Sequence, residues 1–430
     1  MVRAFTALLL LLTLAAPAAA QIEIRAPGQQ TIPLALTQFL PREVTPRPEV
    51  AAQIDQVLQA DLDLSGLFSF VDPAAFLGDA RRIGLLSSEV DFAEWRLLGA
   101  EVLIKGTYSV QGDNLVLEAR LFDVVRRRLL DGRRYVGRVA DARQMAHTFA
   151  DQILKSLTGI EGPFNSKIAY ISNATGHKEL YIMDVDGHNS TRLTDHRSIV
   201  LNPDFSPVSK ELIFTSYKQT NPDLYRKEIY SGREARLSGR EGLNISARYR
   251  PDGREIALTL SYQGNPDLYL MGTDGSLSRR LTQDWNIDVD ATWSPAADRL
   301  AFISDRQGGP HVFVMDLQGG SLRRLTPSGT YNATPDWHPK DERIVFTRLE
   351  GGRFDIYTIR ADGSDERRLT FGAGSKEHPR WSHDGRFIVY SSTQDGRKAI
   401  FVMRADGTGA RRISPGGGEA SHPAWSGPWR

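Results

Sequence analysis

The 430-residue chain contains no cysteine. That excludes disulfides, thiolate nucleophiles, zinc–thiolate centres and acyl-cysteine lipid anchors. It also lacks a charge imbalance, with 53 Lys plus Arg against 52 Asp plus Glu. A nucleic-acid binder normally carries a basic excess, and neither a polyacidic tail nor a polybasic membrane patch fits. Nowhere does the sequence reach the about 20 consecutive apolar residues that span a bilayer, so no transmembrane segment is expected. What it has in quantity is 38 Gly and 22 Pro without a collagen period, which fits many turns between short strands.

The longest apolar run, Ala4 to Leu14, follows Arg3, the only charge before Glu23. Pro17 breaks the run, and Ala18-Ala19-Ala20 places small residues before Gln21. A short positive start, a short apolar core and an A-x-A exit read as a secretory signal peptide over 1–20, cleaved before Gln21. The mature chain is then formally neutral and is expected beyond the inner membrane, stabilised by packed cores alone.

The second half repeats. Phe205, Tyr249, Trp293, Trp337, Trp381 and Trp425 follow one another at 44-residue steps. So do Leu193, Leu237, Leu281, Leu325, Leu369 and Ile413; Tyr181, Tyr225, Tyr269, Phe313, Tyr357 and Phe401; and Ile168, Leu212, Ile256, Leu300, Ile344 and Ile388. One unit, Asp290 to Thr326, divides into ATW, RLAFIS, HVFVMD and RRLT, with Pro, Gly and Asp breaks between them. Period-2 alternation bounded by turn residues means strands, and four strands per unit of this length is a β-propeller blade. The unit at Asn165 to Thr194 lacks its first strand, and His422-Pro423-Ala424-Trp425-Ser426 is a first strand without a unit. Five whole units and one split unit predict six blades, closed by the C-terminal strand so that no sheet edge is left open. The repeat carries no Gly-His and Trp-Asp pair of the WD type.

Residues 21–160 lack this period. Gln21-Ile22-Glu23-Ile24-Arg25 alternates as a short strand, and Thr31 to Phe39 reads as a buried one. Pro48 to Leu62 carries Val50, Ile54, Val57, Leu58 and Leu62 on one helical face. A strand follows at Phe68 to Asp72, then a short helix capped by Asp91. Three runs, Glu101 to Val110, Asn114 to Phe122 and Leu129 to Val139, predict an antiparallel meander. Its turns fall at Gln111-Gly112-Asp113 and at Asp131-Gly132 or a few residues earlier. Asp141 is expected to cap a last helix ending at Gly159. The whole is an α+β chain, a small α/β domain over 21–160 preceding a six-bladed all-β propeller over 161–430.

Catalytic signatures are scarce. There is no G-x-S-x-G elbow, H-E-x-x-H or EF-hand loop. The Asp-Gly pairs at blade turns, such as Asp362-Gly363 and Asp406-Gly407, are turn chemistry first. A calcium ion in the channel remains an alternative, since hard cations need only a few oxygens; no other cofactor is expected. Arg126, Arg127, Arg128, Arg133, Arg134 and Arg138 cluster around Asp131-Gly132, as a solvated strand face or as a dock for an acidic partner. Three residues before each first-strand aromatic stand Asn202, Ser246, Asp290, Thr334, His378 and His422, all polar. First strands line a propeller axis, so these six are read either as caps on the entering loops or as a binding rim at the channel mouth. An enzymatic alternative, a secreted propeller lyase or hydrolase, would recruit Asp290, His378 and His422.

Taken together, the leader, the α/β domain with its N-terminal strand, and repeats such as Trp293-Ser294-Pro295, Trp381-Ser382-His383-Asp384-Gly385 and Arg367-Arg368-Leu369-Thr370 resemble the TolB family of the Tol-Pal system. The resemblance covers the whole mature chain and includes the closing His422-Pro423-Ala424-Trp425-Ser426. It departs at Ala247-Arg248-Tyr249-Arg250-Pro251, where the family more often has P-x-[WF]-S-P. It implies a periplasmic scaffold without enzymatic activity, a monomer within a larger envelope complex. The family binds the lipoprotein Pal at one propeller face and communicates with TolA through the mature N-terminal segment. It supports outer-membrane invagination at division and envelope integrity.

Overall fold

The computed structural model describes residues 31–42, 46–318 and 320–429. The leader and Gln21-Ile22-Glu23-Ile24-Arg25 lie outside them. Strands β1 (Ile32–Leu36), β2 (Leu40–Pro41), β3 (Phe68–Phe70), β4 (Val102–Gln111), β5 (Asn114–Asp123) and β6 (Arg128–Arg138) form one sheet. Its order is β3-β1-β4-β5-β6, with β2 on β4. Helices α1 (Pro48–Ser65) and α3 (Ala142–Thr158) cover one face, and the short α2 (Phe92–Leu97) covers part of the other. The apolar stripe of α1 does this: Val50, Ile54, Val57, Leu58 and Leu62 are all buried. Asp91 caps α2 as its sequence position suggests, accepting from the Ala93 and Glu94 N–H groups. Asp141 does something different. Its carboxylate accepts from the Arg138 N–H, closing a tight turn ahead of α3 instead of bonding into the helix. The β5–β6 reversal occurs at the earlier of the two expected positions, between Asp123 and Arg128, with Arg127 at φ 54. Asp131 and Gly132 lie within β6, beside a register shift.

The remainder is a ring of six four-stranded antiparallel sheets. Blade 1 joins the C-terminal strand Ala420–Trp425 to Lys167–Ser172, Glu179–Asp184 and Thr191–Arg192. Blades 2 to 6 begin with the first strands Val200–Phe205, Asn244–Tyr249, Asp288–Trp293, Asn332–Trp337 and Lys376–Trp381. The 44-residue aromatics end these strands and are buried between blades, Trp293 and Trp381 at 6% exposure. Trp293 Nε1 donates to the Arg248 carbonyl of the preceding blade, and Trp381 Nε1 to that of Asp336. The third-strand aromatics stack on a second-strand column. Tyr170–Tyr181, Phe214–Tyr225, Phe302–Phe313, Phe346–Tyr357 and Tyr390–Phe401 have centroids 5.6–6.2 Å apart. In blade 3 Leu258 faces Tyr269 instead. Where the blade 3 sequence departs from the repeat, Arg250 lies over the Trp293 ring at 5.8 Å and pairs with Glu255.

The α/β domain sits on the ring face formed by the loops between first and second strands and between third and fourth strands. Blades 1 and 6 supply the hold, blade 1 through Asp186, which pairs with Arg143 of α3. Arg404 donates to the Leu64 and Asp63 carbonyls and Arg411 to that of Ala60, placing two cations at the negative end of the α1 dipole. Arg386 reaches Thr158, and Phe164 packs on Phe387. The opposite face, where chains enter the first strands, carries no part of the described α/β domain.

Candidate functional site: the propeller channel

Each first strand breaks register between its second and fifth residues. The bulge places the third residue in the left-handed region: φ is 51 for Asn202, 54 for Ser246, 55 for Asp290, 48 for Thr334, 55 for His378 and 48 for His422. The six polar residues therefore lie inside the strands, not on loops leading into them, and this corrects their expected position. Backbone shape accounts for part of the column, because Asn, Asp and His tolerate positive φ better than most residues.

The strand sequences run inward from the free face, so this ring is the outer layer of the channel. Asn202 Nδ2 donates to Ser246 Oγ at 2.8 Å, and Ser246 Oγ donates to Asp290 Oδ1. Across the ring the His378 and His422 imidazoles lie against each other, centroids 3.9 Å apart and planes tilted by 37°. Burial pulls the His378 imidazole down to about 3, reinforced by Lys398, Arg248 and Lys178. Burial and the neighbouring His378 hold His422 well below its usual range. Both rings are neutral at pH 7.

One layer deeper lies a second ring that the sequence reading passed over. The fifth residues of the first strands, again at 44-residue steps, are Asp204, Arg248, Thr292, Asp336, Arg380 and Ala424. Asp204 Oδ1 is 3.2 Å from Arg248 and 2.6 Å from Arg380, and Asp336 Oδ1 is 3.6 Å from Arg380 and 4.0 Å from Arg248. Thr292 and Ala424, on opposite blades, are small, and the long guanidiniums reach past them to the next blade but one. Each carboxylate also ties blades together: Asp204 Oδ2 accepts from the Tyr249 N–H and Asp336 Oδ2 from the Trp381 N–H. Thr292 Oγ1 does the same for the Trp337 N–H. Burial pushes the carboxyls up, to about 6 for Asp204 and about 7 for Asp336, while Arg248 pulls against it. The signal was available in the column one residue before the aromatics, where four of the six positions are charged.

The channel is thus a polar mouth over a charge-neutral lattice. Asp290 has no arginine or lysine partner among the described residues, whereas Asp204 and Asp336 are held by arginines. The free face around the mouth carries exposed apolar side chains on the loops entering the first strands: Ile199, Trp285, Ile287, Tyr331 and Phe371, with Trp285 at 96% exposure.

Elsewhere, His147, Asp184 and Asp186 offer ligand atoms within 4.8 Å of one another where α3 meets blade 1. Arg143 pairs with Asp186 and Lys167 with Asp184, so the chain's own cations already occupy these carboxylates. The Asp-Gly turns use their aspartates locally, Asp362 accepting from the Ser364 N–H and Asp406 from the Thr408 N–H.

The family profile described as the TolB beta propeller domain matches residues 154–428. The chain belongs to the TolB family. The TolB amino-terminal domain matches residues 20–130. The chain is 67% identical over 212 residues to the Tol-Pal system protein TolB of Syntrophotalea carbinolica, covering 49% of each chain. It is 46% identical over 192 residues to that of Geobacter metallireducens, covering 44% of each. These alignments span about half the length of the relatives. Over nearly the full length, the fold is similar to the crystal structure of TolB from Acinetobacter baumannii, with TM-score 0.80 and 25% identity, covering 92% of this chain and 97% of that one. Among the described residues, no helix of this TolB-family chain is long and apolar enough to cross a membrane.

Proposed function

We propose that the chain is a periplasmic, non-enzymatic scaffold of the Tol-Pal system. In this reading the channel mouth binds the lipoprotein Pal, and the Gln21-Ile22-Glu23-Ile24-Arg25 segment engages TolA. The chain thereby supports outer-membrane invagination during division and envelope integrity. The observation that carries the reading is the mouth itself. Six polar side chains, Asn202, Ser246, Asp290, Thr334, His378 and His422, are held on bulged strands on the face left free by the α/β domain. Exposed Trp285 and Phe371 stand on the surrounding loops. A rigid polar centre within an apolar rim suits protein recognition, since little ordering is needed on binding. The enzymatic alternative needs an acid–base pair, yet no hydrogen bond joins either histidine to Asp290 among the described residues.

Calorimetry with the soluble domain of Pal tests the reading. His378→Ala and Asp290→Ala are each expected to weaken binding by about 1–3 kcal/mol, the cost of leaving a buried partner unpaired. Trp285→Ala is expected to weaken it with no change in melting temperature. Unchanged affinity in all three variants would remove the mouth from the binding site.

A further inference from the structure

The outer edge of the N-terminal sheet is used by nothing described so far. β6 ends the sheet, and among the described residues no strand pairs with its outer side. The register fixes which groups face outward. Gln111 and Asn114 close the β4–β5 turn, so even-numbered β5 residues bond to β4 and odd-numbered ones to β6. The outward N–H groups of β6 are then those of Leu129, Gly132, Arg134, Val136 and Arg138. The chain ties three of them to its own side chains. Leu129 donates to Ser87 Oγ at 3.1 Å, Gly132 to Asp131 Oδ1 at 2.7 Å and Arg138 to Asp141 Oδ2 at 2.8 Å. Those of Arg134 and Val136 have no partner among the described residues.

The side chains beside this gap are cationic and apolar. Arg134 and Val136 share the sheet face turned away from α1 and α3 with Glu118 and Arg120. Glu118 receives three guanidiniums at once: Arg42 at 3.0 Å, Arg120 at 3.5 Å and Arg134 at 3.7 Å. One carboxylate offsets one of them, so two positive charges remain on a site already shaped to hold a carboxylate. Val136 beside them is 64% exposed.

We propose that the Arg134–Val136 edge is a second docking surface, separate from the channel mouth, that takes a short acidic peptide segment in extended form. The peptide backbone pairs with the two outward N–H groups. A glutamate or aspartate of the peptide lies on Arg42 and Arg134, and an aliphatic neighbour lies on Val136. The self-tied N–H groups on either side limit the added strand to a few residues, which keeps two copies of this chain from pairing edge to edge. A basic edge of this kind would also serve simply to prevent aggregation. The difference is that three of its five N–H groups are closed off and the two left open lie next to the guanidinium cluster.

Fluorescence anisotropy with the whole mature chain tests this, using a fluorescein-labelled hexapeptide of alternating glutamate and valine and its lysine–valine counterpart. The acidic peptide is expected to bind, more weakly as salt is raised, and the basic one not to bind. Arg134→Ala should weaken binding about 10-fold or more, as for a lost charge-assisted hydrogen bond. Val136→Pro removes one outward N–H and should abolish binding, while Val136→Ala retains most of it; melting temperatures confirm that the variants fold. Three outcomes would overturn the proposal: equal binding of both peptides, a Val136→Pro variant that binds like the parent, or displacement of the probe by a Gln21–Arg25 peptide at equal affinity. Binding to anionic phosphatidylglycerol vesicles that depends on Arg134, without any peptide binding, would assign the patch to lipid and also overturn it.

Discussion

His147 Nδ1 stands 2.6 Å from Asp61 Oδ2, which joins α3 to α1, and its other ring nitrogen lies 3.4 Å from Asp186 at a turn of blade 1. One imidazole thus bridges two helices of the first domain and the propeller. Burial alone would pull this group down. The Asp61 and Asp186 carboxylates overcome it and hold the imidazole up at about 10. Arg143 also pairs with Asp186, and Arg411 faces Asp61 from blade 6.

A folded-state pKa raised in this way stabilises the protein below the ordinary histidine range, and the contribution is lost as pH rises toward about 10. Thermal melts of the parent are expected to fall between pH 7 and pH 10 more than those of His147→Gln. At pH 7 the variant itself should lose about 3–5 kcal/mol, because buried Asp61 loses its charged partner at 2.6 Å. Equal pH slopes in the two proteins would show that His147 is not the group responsible.

The histidine pair at the mouth has the opposite sign. His378 and His422 are held below their ordinary range, so the unfolded chain takes up protons first. Stability should drop as pH falls from about 6.5 toward 4. Replacing both with asparagine, which also accepts positive φ, should flatten that limb; an unchanged acid limb would refute the assignment.

The inner lattice should behave as a unit. Arg380→Met leaves Asp204 short of its 2.6 Å partner and is expected to cost about 3–5 kcal/mol at pH 8 in urea unfolding. Adding Asp204→Leu should recover part of that loss, since contacting residues are not additive. Simple additivity would mean that the two do not interact.

Ring closure depends on the last strand. Ala420–Trp425 pairs with Lys167–Ser172, and Trp429 packs edge-on against Phe205 in blade 2. Deleting Glu419 to Arg430 should destabilise the whole ring by at least the about 3–5 kcal/mol of one buried aromatic. A truncated protein melting within about 2 °C of the full chain would show that the strand is dispensable.

Much of this was legible beforehand because the repeat keeps strict register. A 44-residue step in four columns fixes strand, turn and blade, and the complementary fragments at Asn165 and Trp425 fix closure. The helices followed from apolar spacing, as with Val50 to Leu62. The β5–β6 turn was harder. Asp131-Gly132 has turn chemistry, yet strand pairing held it inside β6 and the reversal fell among arginines.

What the sequence by itself determined is which residues alternate, recur and turn, since those depend on local periodicity. The tertiary structure alone decided three things. The polar column lies on bulges, because each first strand must bend to line a closed ring. Asp204 meets Arg380 across 176 residues, because only the circle brings blades 2 and 6 within reach past a small Ala424. And Asp61, His147 and Asp186 meet at all because the α/β domain docks on one face of the propeller and leaves the other open. Contacts between distant elements carry no local periodic signal, so they had to await the fold.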